Sequence, residues 1–252
     1  MNETLLLARR AVREVWRLPA ATLPALFIPL FFLVVNLGQV SKTFPRQTPF
    51  LHGQPYVAFA LPVSLVFAVS SATSGLAMVT DIDIGYLDKL LAAPIRRTAL
   101  IWGRLAADLV RGLLVSVLVL AVGFAFGARV QTGVIGVVLL VVLSAAWGVA
   151  YAGIAIGIAL TTKNVQTTNA SFIIFFPLLF LTPNFVPFNL LSPTLRVVAR
   201  ANPVSYVITG ERDLLLDPTL HWGSLLATIA IIAGTGVILT GLSLRALSRF
   251  AD

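Results

Sequence analysis

The sequence has no cysteine, only two histidines (His52 and His221), and little charge: Asp, Glu, Lys and Arg make up 11% of its 252 residues. Without cysteine, disulfides, thiolate catalysis and Cys-ligated metals are excluded. The shortage of charge excludes an ordinary soluble domain, which is about a quarter charged. Enzyme signatures are missing too. Both histidines stand at the edges of apolar runs with no acidic motif beside them, and no His-Glu-x-x-His zinc sequence occurs. There is no Gly-x-Ser-x-Gly elbow. No Gly-x-x-x-x-Gly-Lys-Ser/Thr loop is present, so the chain does not bind and hydrolyse ATP by that route. Asp81, Asp83 and Asp88 form one acidic cluster, but basic residues follow where a metal site needs further carboxylates, and no metal is assigned. The net charge of +8 comes without a basic patch interleaved with aromatics, which argues against nucleic acid.

What the chain has in abundance is apolar surface: 58% hydrophobic residues and a mean hydropathy of +0.95. A spanning helix needs about 20 apolar residues. Six runs approach that length, near 18–40, 56–79, 101–126, 133–160, 169–185 and 222–244. The first is uncharged over residues 18–41 and follows a basic stretch; it reads as a retained span rather than a cleaved leader. The fold class is therefore an all-α membrane protein with six transmembrane helices in a single domain, 1–252. Lys and Arg concentrate on the cytoplasmic side of membrane proteins. With the N-terminus inside, Lys42, Arg46, Arg129, Arg196, Arg200 and Arg212 fall outside and the other twelve of the 18 basic residues fall inside. Both termini are thus expected in the cytoplasm of a multi-pass cell-membrane protein.

Three segments do not span. In 3–17, Leu5, Ala8, Val12, Val15 and Trp16 recur at helical spacing, while Arg9, Arg10, Arg13 and Arg17 take the other faces. That pattern describes a helix lying in the membrane interface; the alternative is a frayed basic flank. In the inner loop, 81–100, Ile84, Leu87, Leu90 and Leu91 form an apolar stripe with Asp88 and Lys89 off it. Asp81 or Asp83 is expected to cap this short helix, Pro94 to stop it, and a new helix to start near Arg97. Such an element suits docking to a partner protein or is a plain solvated loop helix; composition does not separate the two. In the outer region, 187–221, Ser192-Pro193 and Asn202-Pro203 each read as an N-cap followed by proline at the first helical position. They predict short helices over Pro193–Ala201 and Pro203–Leu216, packed in the outer leaflet, which either line an exit or form a structured loop.

Within the spans the exceptional charges are Asp108 and Arg111, and Arg104 at the inner end shares their face. An ion network near the headgroups is expected there, rather than a proton relay. Gly153 and Gly157 form a Gly-x-x-x-Gly pair, which permits close helix packing within the chain or to a second copy.

The inner loop carries a resemblance. Asp81-Ile82-Asp83-Ile84-Gly85-Tyr86-Leu87-Asp88-Lys89, continuing through Pro94 to Arg96-Arg97 and then Gly103-Arg104, resembles the ABC exporter permeases of the type-2 membrane-domain family, the daunorubicin-exporter-like branch most. Asn202-Pro203, with Arg212 nine residues beyond the proline, is similar to that family's segment before the last helix. The resemblance implies a transport subunit with no ATPase site and no cofactor of its own, ATP and Mg being bound by a separate nucleotide-binding ATPase subunit. It implies docking of that subunit on the inner loop and the N-terminal helix, with a smaller contact at 161–168. It also implies a second permease chain, as homo- or heterodimer, and export of a drug, lipid or lipid-linked amphipathic molecule. Two other classes stay open: a polytopic membrane enzyme acting on lipids, and an ATP-independent carrier.

Overall fold

The structure is a computed structural model and describes residues 3–17, 19–71, 74–93 and 96–251, with the side chains of 14–25, 170, 172 and 251 outside the description. Among the described residues there is no strand. The helices are α1 (Glu3–Arg17), α2 (Pro19–Val40), α3 (Tyr56–Ser71), α4 (Gly75–Asp83), α5 (Tyr86–Ala92), α6 (Arg97–Ala125), α7 (Gly133–Thr162), α8 (Val165–Phe180), α9 (Pro193–Ala201), α10 (Pro203–Leu216) and α11 (Trp222–Ala251). Four stretches are long and apolar enough to cross a membrane: Tyr56–Asp83, Arg97–Ala125, Gly133–Thr162 and Trp222–Phe250. Leu26–Val40 and Val165–Phe180 are shorter apolar helices.

The boundaries follow local chemistry. α9 and α10 start at the two prolines as the sequence predicts; Asn202 accepts a bond from the Val204 N–H at 3.0 Å, whereas Ser192 makes no side-chain cap. α8 ends at Phe180, short of the expected 185, because Pro183 and Pro187 cannot continue a helix. α11 runs well past the expected 244 to Ala251, since its last turns alternate apolar and basic residues and need no lipid to be helical.

α3 is the centre of the bundle, with every residue from Tyr56 to Ser70 buried. It packs on α2, α6, α7, α8 and α10, while α11 lies along α7. Aromatic edges lock this core: Phe32 meets Phe67 and Phe180 edge-on, and the Trp147 indole N–H donates to Ser70 Oγ at 3.0 Å. Helices approach closely at small residues, the packing available where lipid removes the hydrophobic drive between them. A Cβ on Gly112 would sit 3.0 Å from the Ala145 Cα of α7.

Three local expectations are corrected. Asp81 and Asp83 do not cap the loop helix: α4 continues through both, and Gly85, in the left-handed region at φ 66°, separates α4 from α5. That break interrupts the apolar stripe, leaving Ile84 63% exposed while Leu87 is 2% exposed. On α1 Leu5 does not belong to the inner face: it is exposed, while Leu7, Ala8 and Val12 are half-buried and Ala11 is buried, because α6 presents Gly103 and Ala107 for them to sit against. Leu5, Leu6, Arg9 and Arg13 face away from the protein.

Candidate functional site

The loop helix, the N-terminal helix and the start of α6 converge on one buried carboxylate. Asp81, on α4, accepts from Arg10 Nη2 of α1 at 3.0 Å and from Arg104 Nη2 of α6. Arg104 also donates to the Ala77 carbonyl at 3.3 Å. The Arg10 guanidinium is at the same time 3.9 Å from the ring centroid of Tyr86, the first residue of α5. One anion therefore ties three helices together, and an aromatic face adds the fourth. A second tie joins the far end of α1 to the loop: Glu3 Oε2 accepts the Arg96 backbone N–H at 3.1 Å.

A turn deeper, Asp108 Oδ1 accepts from Ser74 Oγ at 2.7 Å and from Arg111 Nη1 at 2.9 Å. Arg104, Asp108 and Arg111 share a face as their spacing requires, yet the face is divided. Arg104 reaches across to Asp81, while Asp108 and Arg111 gather around Ser74. Sequence spacing marks who shares a helix face; it cannot show that α4 supplies partners from opposite.

α5 itself is anchored by Leu87, which enters an apolar cluster with Met78, Leu100, Ile101 and Leu105. Asp88 and Lys89 project from it, exposed, beside exposed Asp83, Arg96 and Arg97. Gly85 is the pivot at its start. Pro94 lies outside the described residues, as do the side chains of Trp16 and Arg17. The arrangement is a short rod, rooted by Leu87 with Leu90 and Leu91 packed beside it, with a charged outer face and a cation–π link through Tyr86 to the Arg10–Asp81 pair.

At the other end of the bundle, α10 is pinned by two polar side chains. The buried Arg212 guanidinium donates to the Phe59, Pro183 and Asn184 carbonyls, the last at 2.8 Å, and lies 3.6 Å from the Phe59 ring centroid. Asn202 donates to the Leu178 and Leu181 carbonyls, so the freed carbonyls at the end of α8 find partners. Pro203 starts α10 between these two anchors.

Two features escaped the sequence reading. Glu211 is fully buried and its Oε1 lies 2.7 Å from Ser144 Oγ of α7. That hydroxyl has a single proton, already aimed at the Leu140 carbonyl 2.7 Å away. It is also the donor toward Glu211 Oε1, so the two acceptors share that proton, while Glu211 Oε2 has no partner among the described residues. The signal lay in the phase: Val204, Ile208, Glu211 and Leu215 recur at i, i+4, i+7, i+11, placing the glutamate on the buried stripe. Secondly, the histidines do have an acidic neighbour. His52 Nδ1 lies 3.1 Å and His221 Nε2 3.4 Å from the two oxygens of Asp217. For His52 the partner is distant in sequence and invisible to motif reading. Among the described residues no group of three His, Cys, Asp or Glu is placed to hold a metal.

Comparison with known proteins adds a family to this geometry. The family model described as ABC-2 type transporter matches residues 2–216. The chain is similar to the daunorubicin resistance ABC transporter permease protein DrrB1 of Streptomyces coeruleorubidus, with 26% identity over 249 residues, 97% of this chain and 86% of that one. It is 27% identical over 216 residues, 84% of this chain and 73% of the other, to a protein named as the transport permease ycf38 of Porphyra purpurea. A protein named as a doxorubicin resistance ABC transporter permease, DrrC, of Mycobacterium tuberculosis is 22% identical over 217 residues, 85% of this chain and 77% of that one.

Proposed function

This chain belongs to the ABC-2 type transporter family, and from that premise we propose that it is the membrane-spanning permease subunit of an ATP-driven exporter. ATP and Mg are bound and used in a separate ATPase chain. Two permease chains pair around the path, and the cargo is a drug, lipid or lipid-linked amphipathic molecule. Relatives named for daunorubicin and doxorubicin resistance support the drug-like cargo. The chain crosses the membrane six times, with α2 and α8 as the two shorter spans and both termini in the cytoplasm. α1 lies in the inner interface, where its exposed Leu5, Leu6, Arg9 and Arg13 suit headgroups and acyl chains together. α9 and α10 re-enter the outer leaflet, and Asn202, Pro203 and Arg212 hold them there as an outer gate.

One observation carries the coupling: Tyr86, the first residue of α5, stacks on the Arg10 guanidinium that pairs with buried Asp81, while Asp88 and Lys89 of the same helix are exposed. The ATPase docks on Asp83, Asp88, Lys89, Arg96 and Arg97 and pushes α5 about Gly85. Leu87 and Asp81 pass the displacement to α1, α4 and α6, and the bundle shifts between inward and outward states by differential contacts. The test is the double reversal Asp88→Lys with Lys89→Glu, at two exposed side chains. In a reconstituted complex it is expected to lower substrate-stimulated ATP hydrolysis about fivefold or more, through like charges set opposite each other at the interface. Full stimulation in a normally assembled complex would count against docking on α5.

A further inference from the structure

A cavity of about 640 Å³ opens between the last turns of α7 and α11, away from the clusters above. Its shape follows from two glycines. At Gly153 the helices touch: a Cβ there would meet the Leu239 carbonyl carbon at 2.8 Å, and Ser243 Oγ donates to the Gly153 carbonyl at 2.5 Å. One turn on, a Cβ at Gly157 would find its nearest neighbour, Ser243 Oγ, at 3.7 Å. The cavity is the groove along one face of this helix pair, running from Gly153 and Leu239 to Lys163 and Phe250. Its walls include Ile154, Ile158 and Leu242.

Its mouth is basic. Arg245 and Arg249 are four residues apart on α11 and project together. Lys163, the C-cap of α7, is in the left-handed region at φ 53° and holds its ammonium 4.2 Å from the Phe250 ring centroid. All three cations are exposed, none meets a carboxylate among the described residues, and the lining contains no Asp or Glu. Three like charges with no counter-charge at the open end of an apolar slot complement a molecule with an anionic head and a long apolar tail.

We propose that this groove binds an anionic glycerophospholipid, its phosphate against Lys163, Arg245 and Arg249 and an acyl chain along the α7–α11 slot. A second copy of the chain seated here would meet this basic mouth with nothing acidic of its own from the same face. Free phosphate would leave the apolar walls uncovered. That the lipid comes from the cytoplasmic leaflet rests on the topology proposed above; binding itself does not.

Native mass spectrometry of the purified chain, offered phosphatidylglycerol and phosphatidylcholine of equal acyl length, tests the site without any transport assay. Phosphatidylglycerol should be retained in preference. The double variant R245Q/R249Q should lose about 25-fold of that preference, a factor of about five for each cation near the headgroup. G157L, which fills the slot and leaves the cations intact, should lose retention as well. K42Q/R46Q, which removes two exposed cations elsewhere, should keep it. Equal retention of the two lipids, undiminished preference in R245Q/R249Q, or displacement by excess inorganic phosphate would overturn the proposal. So would a disulfide between two copies formed through a single cysteine at Leu242.

Discussion

Asp81 shows why one residue can matter beyond its own charge. Its carboxylate and the Arg104 guanidinium are both buried, whereas Arg10 is 40% exposed in its side chain. Removing one partner of a buried pair strands the other, at about 3–5 kcal/mol, while an exposed ion pair contributes about 0–1 kcal/mol. Asp81→Asn should therefore lower the unfolding midpoint of the detergent-purified chain far more than Arg10→Gln does; equal effects would mean that Arg104 finds relief elsewhere. Glu211 makes the opposite case. Because its Oε1 accepts from Ser144, Glu211→Gln keeps an acceptor in place and should change stability by less than about 1 kcal/mol. Glu211→Ala, which opens a hole and removes one of the two acceptors of Ser144, should cost about 2–4 kcal/mol in the same denaturation assay. A large loss in Glu211→Gln would show that the charge itself is needed.

At the scale of elements, packing is set by where small residues fall. A Cβ at Gly153 would press into the α11 backbone, 2.8 Å from the Leu239 carbonyl carbon, whereas one at Gly157 would stand in ordinary contact, 3.8 Å from Ser243 Cα. Gly153→Val should thus destabilise the α7–α11 pair by about 1–3 kcal/mol through overpacking, whereas Gly157→Ala should be nearly neutral, as judged by thermal unfolding in one detergent. The glycine pair was legible in the sequence, but not which helix it would face; that partner is α11 of the same chain, a choice fixed by tertiary packing alone. The same division holds elsewhere. α9 and α10 were readable to the residue because proline after Ser192 and Asn202 is a local signal. The break at Gly85 was not, because a glycine in the left-handed region looks, in sequence, like one inside a helix. Nor was the true inner face of α1, since α6 offers Gly103 precedence over a stripe that favoured Leu5: a Cβ on Gly103 would stand 2.8 Å from Leu7 Cβ. Periodicity finds an apolar stripe, but the neighbour decides which edge of the stripe is used.

For the whole molecule, the class was plain from composition, because a chain with 11% charge has no means of covering itself in water. The family was legible in the inner loop, the segment that lies farthest from the apolar bulk in character. What composition withheld was the tie between that loop and the bundle: Arg10, Asp81 and Arg104 are spread over 95 residues of chain and meet only after folding. The division of labour proposed here, a passage in this chain and nucleotide hydrolysis in another, requires α5 to stand on the cytoplasmic face beneath an ATPase. The absence of cysteine makes that directly measurable, with a single Lys89→Cys substitution on the exposed face of α5. A membrane-impermeant maleimide should label this cysteine in inside-out vesicles and not in intact cells, and co-assembly with the ATPase subunit should shield it. Labelling from outside intact cells would contradict the account at its centre.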